Sequence, residues 1–379
     1  MALSVLIAGG GTGGHLYPGI AVARELVSRV PDADVTFVGT AAGIEARVVP
    51  REGFALDVIR SAGLKGMSAR SLARGIALLP VSVGDAWRVI SRRRPSVVVG
   101  VGGYSSGPVV LLAALRGIPT LLMEQNAIPG MTNRLLAPMV DAAAVTYQES
   151  VRFFGSKALM SGNPVRPEFF DSRRRKVSDD RRDEAPAQEE GTGGDEDRSA
   201  EVVRVLAFGG SQGAHAINMA LMAAAAPLAA SGRRVAMTHQ TGERDLELVR
   251  SGYARAGLDA RVESFLLAMD REMKAADVVV CRSGATTLAE LTASGRASIL
   301  VPLPTATDDH QRRNALALVA HGAALMVEQH ELSGDRVAAE ILALAGDAVR
   351  RRSMEDAARR LARPDAATVI VDKVLALAR

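Results

Sequence analysis

One cysteine, one tryptophan and an aromatic content of 3% in 379 residues set the first limits. A lone Cys281 cannot form an internal disulfide and fits a reducing compartment. With so few rings, the stacking platforms that hold single-stranded nucleic acid are missing, and no nucleic-acid partner is expected. The uncharged run between Arg94 and Arg116 carries Gly100, Gly102, Gly103, Ser105, Ser106, Gly107 and Pro108 in its middle. That is the pattern of strand, turn and helix, not of a membrane span. The opening residues have no basic segment ahead of the apolar ones, so no secretory leader is expected.

What is present is apolar: 48% of the residues, enough for two cores in a chain whose length suits two domains. The formal charge of +4 and the pI of about 9.5 are a mild basic bias, which admits an anionic partner without naming one. Short apolar runs at residues 4–8, 34–38, 96–101, 119–123 and 142–145 predict buried parallel strands, with helical stretches such as 20–30 between them. A second series follows at 202–208, 233–238, 277–281 and 297–301. This alternation predicts an α/β protein of two doubly wound, Rossmann-like domains whose strand ends face a cleft. Residues 172–201 interrupt it. They are nearly all charged, small or proline, basic at first (Arg173, Arg174, Arg175, Lys176) and acidic later (Glu189, Glu190, Asp195, Glu196, Asp197). Such a segment buries too little apolar surface to offset its ordering entropy and is expected to be a disordered insertion near the domain boundary.

Each series opens with a strand, a glycine-rich loop and a helix: Gly9 to Gly14 in the first, Gly209 to Gly213 in the second. Such a loop presents backbone N–H groups at a positive helix end, a natural seat for diphosphate. Gly9, Gly11 and Gly14 also satisfy G-x-G-x-x-G. A nicotinamide enzyme needs, in addition, an acid at the end of the second strand to grip ribose hydroxyls. That strand ends Phe37-Val38-Gly39-Thr40, and Glu45 already lies in the next helix. The dinucleotide reading therefore loses its second anchor.

In the second half, Cys281 to Glu290 follow a strand and open a helix, with Ser283, Thr286 and Thr287 able to cap or bind. Glu290 either accepts two ribose hydroxyls or compensates the helix dipole, and the residues leave both open. The polar stretch Thr305 to Asn314 has groups able to bind sugar hydroxyls, but taken in isolation a hydrophilic turn and helix cap needs fewer assumptions. No His or Cys cluster has metal-ligand spacing. Asp32-Ala33-Asp34 is a D-x-D, but it sits in a turn led by Pro31, and Asp195-Glu196-Asp197 falls in the insertion.

In order and spacing, GGGTGGH (residues 9–15), GGYSSGP, EQNAIPG, GNPVR, GGSQGA, CRSGATTLAE and TDDHQRRNA resemble the MurG family of bacterial glycosyltransferases. The resemblance covers almost the whole chain; the charged insertion is longer than the family usually carries and misses every motif. It implies a GT-B fold, with an N-terminal acceptor domain over 1–165, completed by a C-terminal helix at about 360–379, and a UDP-GlcNAc domain over 166–360. It implies transfer of N-acetylglucosamine from UDP-GlcNAc to lipid I (undecaprenyl-diphosphate-MurNAc-pentapeptide), giving lipid II for peptidoglycan. Glu290 would hold the ribose, Leu266 the uracil through its backbone, and Ser211 with its loop the diphosphate. Arg166 would touch the nucleotide side, and Ala285, Thr286, Thr287, Leu288 and Ala289 would line the donor site. Gln311, with His310, would bind sugar hydroxyls. Thr12, Gly13, Gly14, His15 and Asn126 would reach the sugar and the acceptor, with Gly11, Tyr104 and Asn133 on the acceptor side.

The family's reaction inverts the anomeric carbon, so one displacement suffices and no protein nucleophile is needed. A base must take the proton of the acceptor's 4-hydroxyl. His15 is the first candidate and Glu124 the second. The other role open to His15 is positioning, and to Glu124 bracing the turn Glu124-Gln125-Asn126. Helix N-termini and Ser211 would stabilise departing UDP in place of a metal, and no cofactor is expected. The lipid acceptor implies a peripheral enzyme at the cytoplasmic face of the cell membrane, with a cell-wall synthesis complex as a further partner. Residues 64–95 offer the contact. There Met67, Leu72, Ile76, Leu79 and Val81 are flanked by Lys65, Arg70, Arg74, Arg88, Arg92, Arg93 and Arg94, a pattern suited to an anionic lipid surface. Against this stand a non-catalytic UDP-sugar-binding module, a UDP-sugar epimerase of the same fold, and the weakened nicotinamide oxidoreductase.

Overall fold

The computed structural model describes residues 3–61, 69–170, 202–210 and 213–379, and for 69–77 the backbone alone. The expectations for residues 172–201, Ser211, Lys65 and Met67 lie outside the described residues, as do those for the side chains of Arg70, Leu72, Arg74 and Ile76. The chain divides into two compact units. One comprises Met1–Arg166, Thr307–Arg313 and Arg363–Arg379; the other comprises Pro167–Ala306 and Asn314–Ala362.

The first unit runs β1 (Ser4–Gly9), α1 (Gly13–Arg29), β2 (Asp34–Gly39), α2 (Glu45–Arg51), β3 (Ala55–Val58) and α3 (Ala69–Arg93). It continues β4 (Val97–Gly102), α4 (Ser106–Leu115), β5 (Thr120–Glu124), α5 (Met131–Leu136), β6 (Ala142–Val145), α6 (Gln148–Phe154) and β7 (Ala158–Met160). The strands form a parallel sheet in the order β3-β2-β1-β4-β5-β6-β7. Helices cover both faces, so the strands carry near-continuous apolar runs; every residue of β4 is buried. Chain order reverses at β1, the switch point at which such sheets bind ligands beyond their strand ends. The ladder slips there: Ala8 pairs with Gly100 and Gly9 with Gly102, leaving Val101 as the extra residue of a bulge.

The second unit runs β8 (Val203–Phe208), α7 (His215–Ala229), β9 (Val235–Gln240), α8 (Leu246–Ala256), β10 (Asp259–Glu263), α9 (Met269–Ala275) and β11 (Val278–Cys281). Next come α10 (Ala285–Ser294), β12 (Ala297–Leu300), α11 (His310–Val319, whose residues through Arg313 belong to the first unit), β13 (Leu325–Met326), α12 (Gly334–Gly346) and α13 (Ala348–Leu361). Its parallel sheet has the order β10-β9-β8-β11-β12-β13, with its own reversal at β8. The last helix, α14 (Ala366–Leu377), returns to the first unit. Ile370, Val371 and Val374 join Leu16, Ile20 and Leu26 in one core, and Arg29 pairs with Asp372 at 2.7 Å.

Candidate active site

In the first unit, the loop between β1 and α1 and the loop between β4 and α4 meet at the switch point. The Gly10 N–H donates to the Gly102 carbonyl at 3.2 Å. The imidazole of His15, in the first turn of α1, lies against Gly102, where a Cβ would come within 2.7 Å of Nδ1. Gln125, just past β5, donates its Nε2 to the Val101 carbonyl at 3.1 Å and so presents its oxygen to His15 Nδ1 at 3.3 Å. That network assigns the proton to Nδ1 and leaves the lone pair on Nε2. Burial holds the imidazole below the ordinary histidine value, with His310 adding to the effect, while the Gln125 hydrogen bond opposes it. The ring is a neutral base at neutral pH.

Glu124 is buried, and its two oxygens each accept twice. Oε1 takes the Asn126 N–H at 2.9 Å and its Nδ2 at 3.2 Å; Oε2 takes the Gly130 N–H at 3.1 Å and Asn133 Nδ2 at 2.8 Å. Burial raises its pKa and these four donors partly offset that. The geometry is that of a carboxylate shaping the 124–133 segment. Asn133 is buried in this brace, also donating to the Met123 carbonyl. Tyr104 and Thr12 are exposed on the two facing loops, with Gly11 and Gly14 beside Thr12 and Gly13 opening the helix. Arg166 stacks its guanidinium 4.9 Å above the Tyr17 ring of α1 and closes the first segment of this unit.

Glu45 does return to the glycine loop, although it opens α2. Its carboxylate is fully buried and bonded to the Gly11 N–H at 2.8 Å, the Thr40 N–H at 2.8 Å and Thr40 Oγ1 at 3.0 Å. Both oxygens are committed to the protein's own donors, so no acid is left at this strand end to grip a dinucleotide's ribose.

In the second unit, the loop after β8 is bounded by Gly213, whose φ is +74° and whose Cβ would lie 1.9 Å from the Thr241 carbonyl. Gln240, at the end of β9, ties two loops together. Its Nε2 donates to the Gly210 carbonyl at 2.9 Å and its Oε1 accepts the Leu266 N–H at 2.8 Å. The Leu266 amide is thus taken by a side chain of the protein itself. Beneath the loop runs a polar chain: His215 Nδ1 to Asp245 at 2.9 Å, Asn218 Nδ2 to Asp245 at 2.8 Å, and His239 between Asn218 and the Tyr253 hydroxyl. Burial pushes His239 down to about 3, so it is a neutral link.

On α10, Thr286, Thr287 and Glu290 are partly exposed while Ala285 and Leu288 face the core, with Ala289 between. Arg282 fixes the approach to this helix by donating to the carbonyls of Val301 and Pro302 at 3.1 and 3.0 Å. Cys281 is buried, which raises its thiol pKa and keeps it unreactive. Gln311 follows Asp308 and Asp309, which both hold positive φ, 54° and 55°. Such strained non-glycine pairs gather at functional loops. His310 Nδ1 bonds the Thr307 carbonyl at 2.6 Å. Among the described residues, no group of three or more His, Cys, Asp or Glu side chains is arranged to hold a metal ion.

Sequence reasoning missed Gln125, Gln240, Glu45 and Arg282. Only the strand-end placement of the two glutamines could have signalled them.

The glycosyltransferase family 28 N-terminal domain matches residues 5–145, and the family's C-terminal domain matches residues 204–370. The UDP-N-acetylglucosamine--N-acetylmuramyl-(pentapeptide) pyrophosphoryl-undecaprenol N-acetylglucosamine transferase of Pelobacter propionicus is 48% identical over 98% of this chain and 99% of its own. The crystal structure of Acinetobacter baumannii MurG superposes with a TM-score of 0.76 at 27% identity, covering 99% of both chains. A UDP-GlcNAc 2-epimerase from Neisseria meningitidis shares the fold alone, with a TM-score of 0.67 at 12% identity over 99% of this chain and 100% of its own. With its paired Rossmann-like units and this full-length identity, the chain belongs to the MurG family of GT-B glycosyltransferases.

Proposed function

We infer that this chain transfers N-acetylglucosamine from UDP-GlcNAc to the 4-hydroxyl of MurNAc in undecaprenyl-diphosphate-MurNAc-pentapeptide, the lipid I to lipid II step of peptidoglycan synthesis. The observation that carries this is 48% identity to a transferase of that name across essentially its whole length. His15 is the base: Nε2 accepts the proton of the 4-hydroxyl as that oxygen attacks the anomeric carbon and the bond to UDP breaks with inversion. Its neutral state and fixed tautomer support the role. Glu124 positions Asn126 and Asn133, and its four accepted hydrogen bonds support bracing over proton transfer.

The donor lies on the second unit, with the uracil on the Leu266 backbone, the ribose on Glu290, and the diphosphate at the loop preceding α7, whose helix end stabilises departing UDP. Gln311 takes sugar hydroxyls. Catalysis proceeds without a metal.

The enzyme works at the cytoplasmic face of the membrane as a peripheral protein and joins a cell-wall synthesis complex. No described helix is long and apolar enough to cross a membrane. The exposed Leu79, Val83 and Trp87 of α3, with Leu115 and with Arg116 stacked 4.7 Å over Trp87, support contact with an anionic lipid surface.

The test is UDP release from UDP-GlcNAc, with and without lipid-linked muramyl pentapeptide, in excess EDTA. Acceptor-dependent release that persists in EDTA is the expected result. Release that requires added divalent cation would overturn the metal-free mechanism, and binding without release would overturn catalysis.

A further inference from the structure

We propose that Glu45 is a positioning residue for the acceptor loop, holding the turn that carries Thr12, Gly13 and His15 into place. The inference rests on the transferase reading above.

Three features of the sequence exist around this one carboxylate. A Cβ at Gly10 would lie 2.5 Å from it, one at Gly39 would come within 2.3 Å of the Glu45 side chain, and one at Gly43 within 2.1 Å. Two loops, one after β1 and one after β2, have therefore given up side chains to admit it. The group they admit is fully buried and sequence-distant from the loop it holds.

A buried carboxylate is costly unless its oxygens are hydrogen-bonded. Here the donors are the Gly11 N–H on one side and the Thr40 N–H and hydroxyl on the other. The two loops are thus joined through Glu45. Gly11 adopts φ +83°, with open space where a side chain would stand, and its N–H is bonded to Glu45. The very next residue, Thr12, is the N-cap of α1, and His15 sits one turn on. The first amides of that helix have no intrahelical acceptor. Their direction, and that of the imidazole, depends on how the chain leaves Gly11. Glu45 touches no substrate and acts only through this turn.

The experiment compares steady-state constants for Glu45→Gln and Thr40→Val with the parent enzyme, using UDP-GlcNAc and lipid-linked muramyl pentapeptide. Glu45→Gln keeps the shape but sets an amide NH2 against backbone donors. Thr40→Val removes one donor and leaves both backbone bonds. Glu45→Gln is expected to raise the acceptor KM and lower kcat, together on the order of ten- to hundred-fold in kcat/KM. The Kd for UDP, measured by calorimetry, stays unchanged. Thr40→Val gives a smaller change of the same kind. A fall in kcat alone, matching a loss of folded protein while both KM values hold, would overturn the proposal. So would unchanged kinetics in both variants. If the parent enzyme shows no acceptor-dependent UDP release, it is the transferase reading that fails, before any variant is compared.

Discussion

The oxygen of Gln125 faces Nδ1 of His15 because the other end of the same amide is anchored on Val101, the bulged residue of β4. A defect in one ladder thereby sets the protonation pattern of a ring on the next helix.

Burial keeps the His15 imidazole below its ordinary value of 6.5. The pH profile of kcat/KM is expected to be level near neutrality and to fall at acid pH, beneath 6.5, as the ring gains its proton. Stability follows the same sign. The unfolded state protonates first as pH falls, so the contribution is full above 6.5 and is lost as pH drops through the lowered folded value. His15→Gln should remove the acid limb and cut kcat by roughly 10²–10⁴, with UDP binding unaffected. An acid limb that survives in this variant would assign it to another group.

Gln125→Glu places a negative charge against Nδ1. An opposite charge favours the protonated ring, so the acid limb should move to higher pH and the rate at pH 7 should drop. Gln125→Ala should instead lower kcat and move the limb to lower pH, since it removes the orienting contact and with it the hydrogen bond that raises the ring's pKa. A pH titration of both variants separates the two effects.

Glu124→Gln leaves one acceptor oxygen where there were two. At least one N–H of the Asn126, Gly130 and Asn133 set then meets an NH2 group. The expected cost is about 1–3 kcal/mol, read as a lower Tm. The acid limb of the rate profile should persist. Its disappearance in this variant would transfer the base role from His15 to Glu124.

Gln240→Ala cuts the tie between the Gly210 carbonyl and the Leu266 amide. The Kd for UDP should rise about tenfold, the scale of one net hydrogen bond, with kcat at saturation little changed. Glu290→Ala should weaken UDP as well. Calorimetry with UDP measures both, and an unchanged Kd for Glu290→Ala would remove the ribose assignment.

The strands were legible because burial on both faces writes itself as unbroken valine and isoleucine, as in Val97-Val98-Val99. The two glycine loops were legible because tight approach excludes side chains. What stayed hidden depends on residues that come together only on folding. Glu45 looks like an ordinary helix residue until its side chain is seen turning back across the end of β2. The chain from His215 through Asp245, Asn218 and His239 to Tyr253 joins α7, β9 and α8 with its N-cap, and no spacing announces it. Glu124 shows how the same residue type supports two readings. Only the count of donors around it distinguishes a brace from a base.

The return of α14 to the first unit has a consequence for synthesis. Domains form as units while the chain emerges from the ribosome. Here the sheet that is made first shares its core with Ile370, Val371 and Val374. The face of α1 bearing Leu16, Ile20 and Leu26 must wait, without that cover, while the whole second unit is translated. The unit begun first is therefore the last to close, and during that interval its uncovered helix face is the place for a chaperone to act or for aggregation to start.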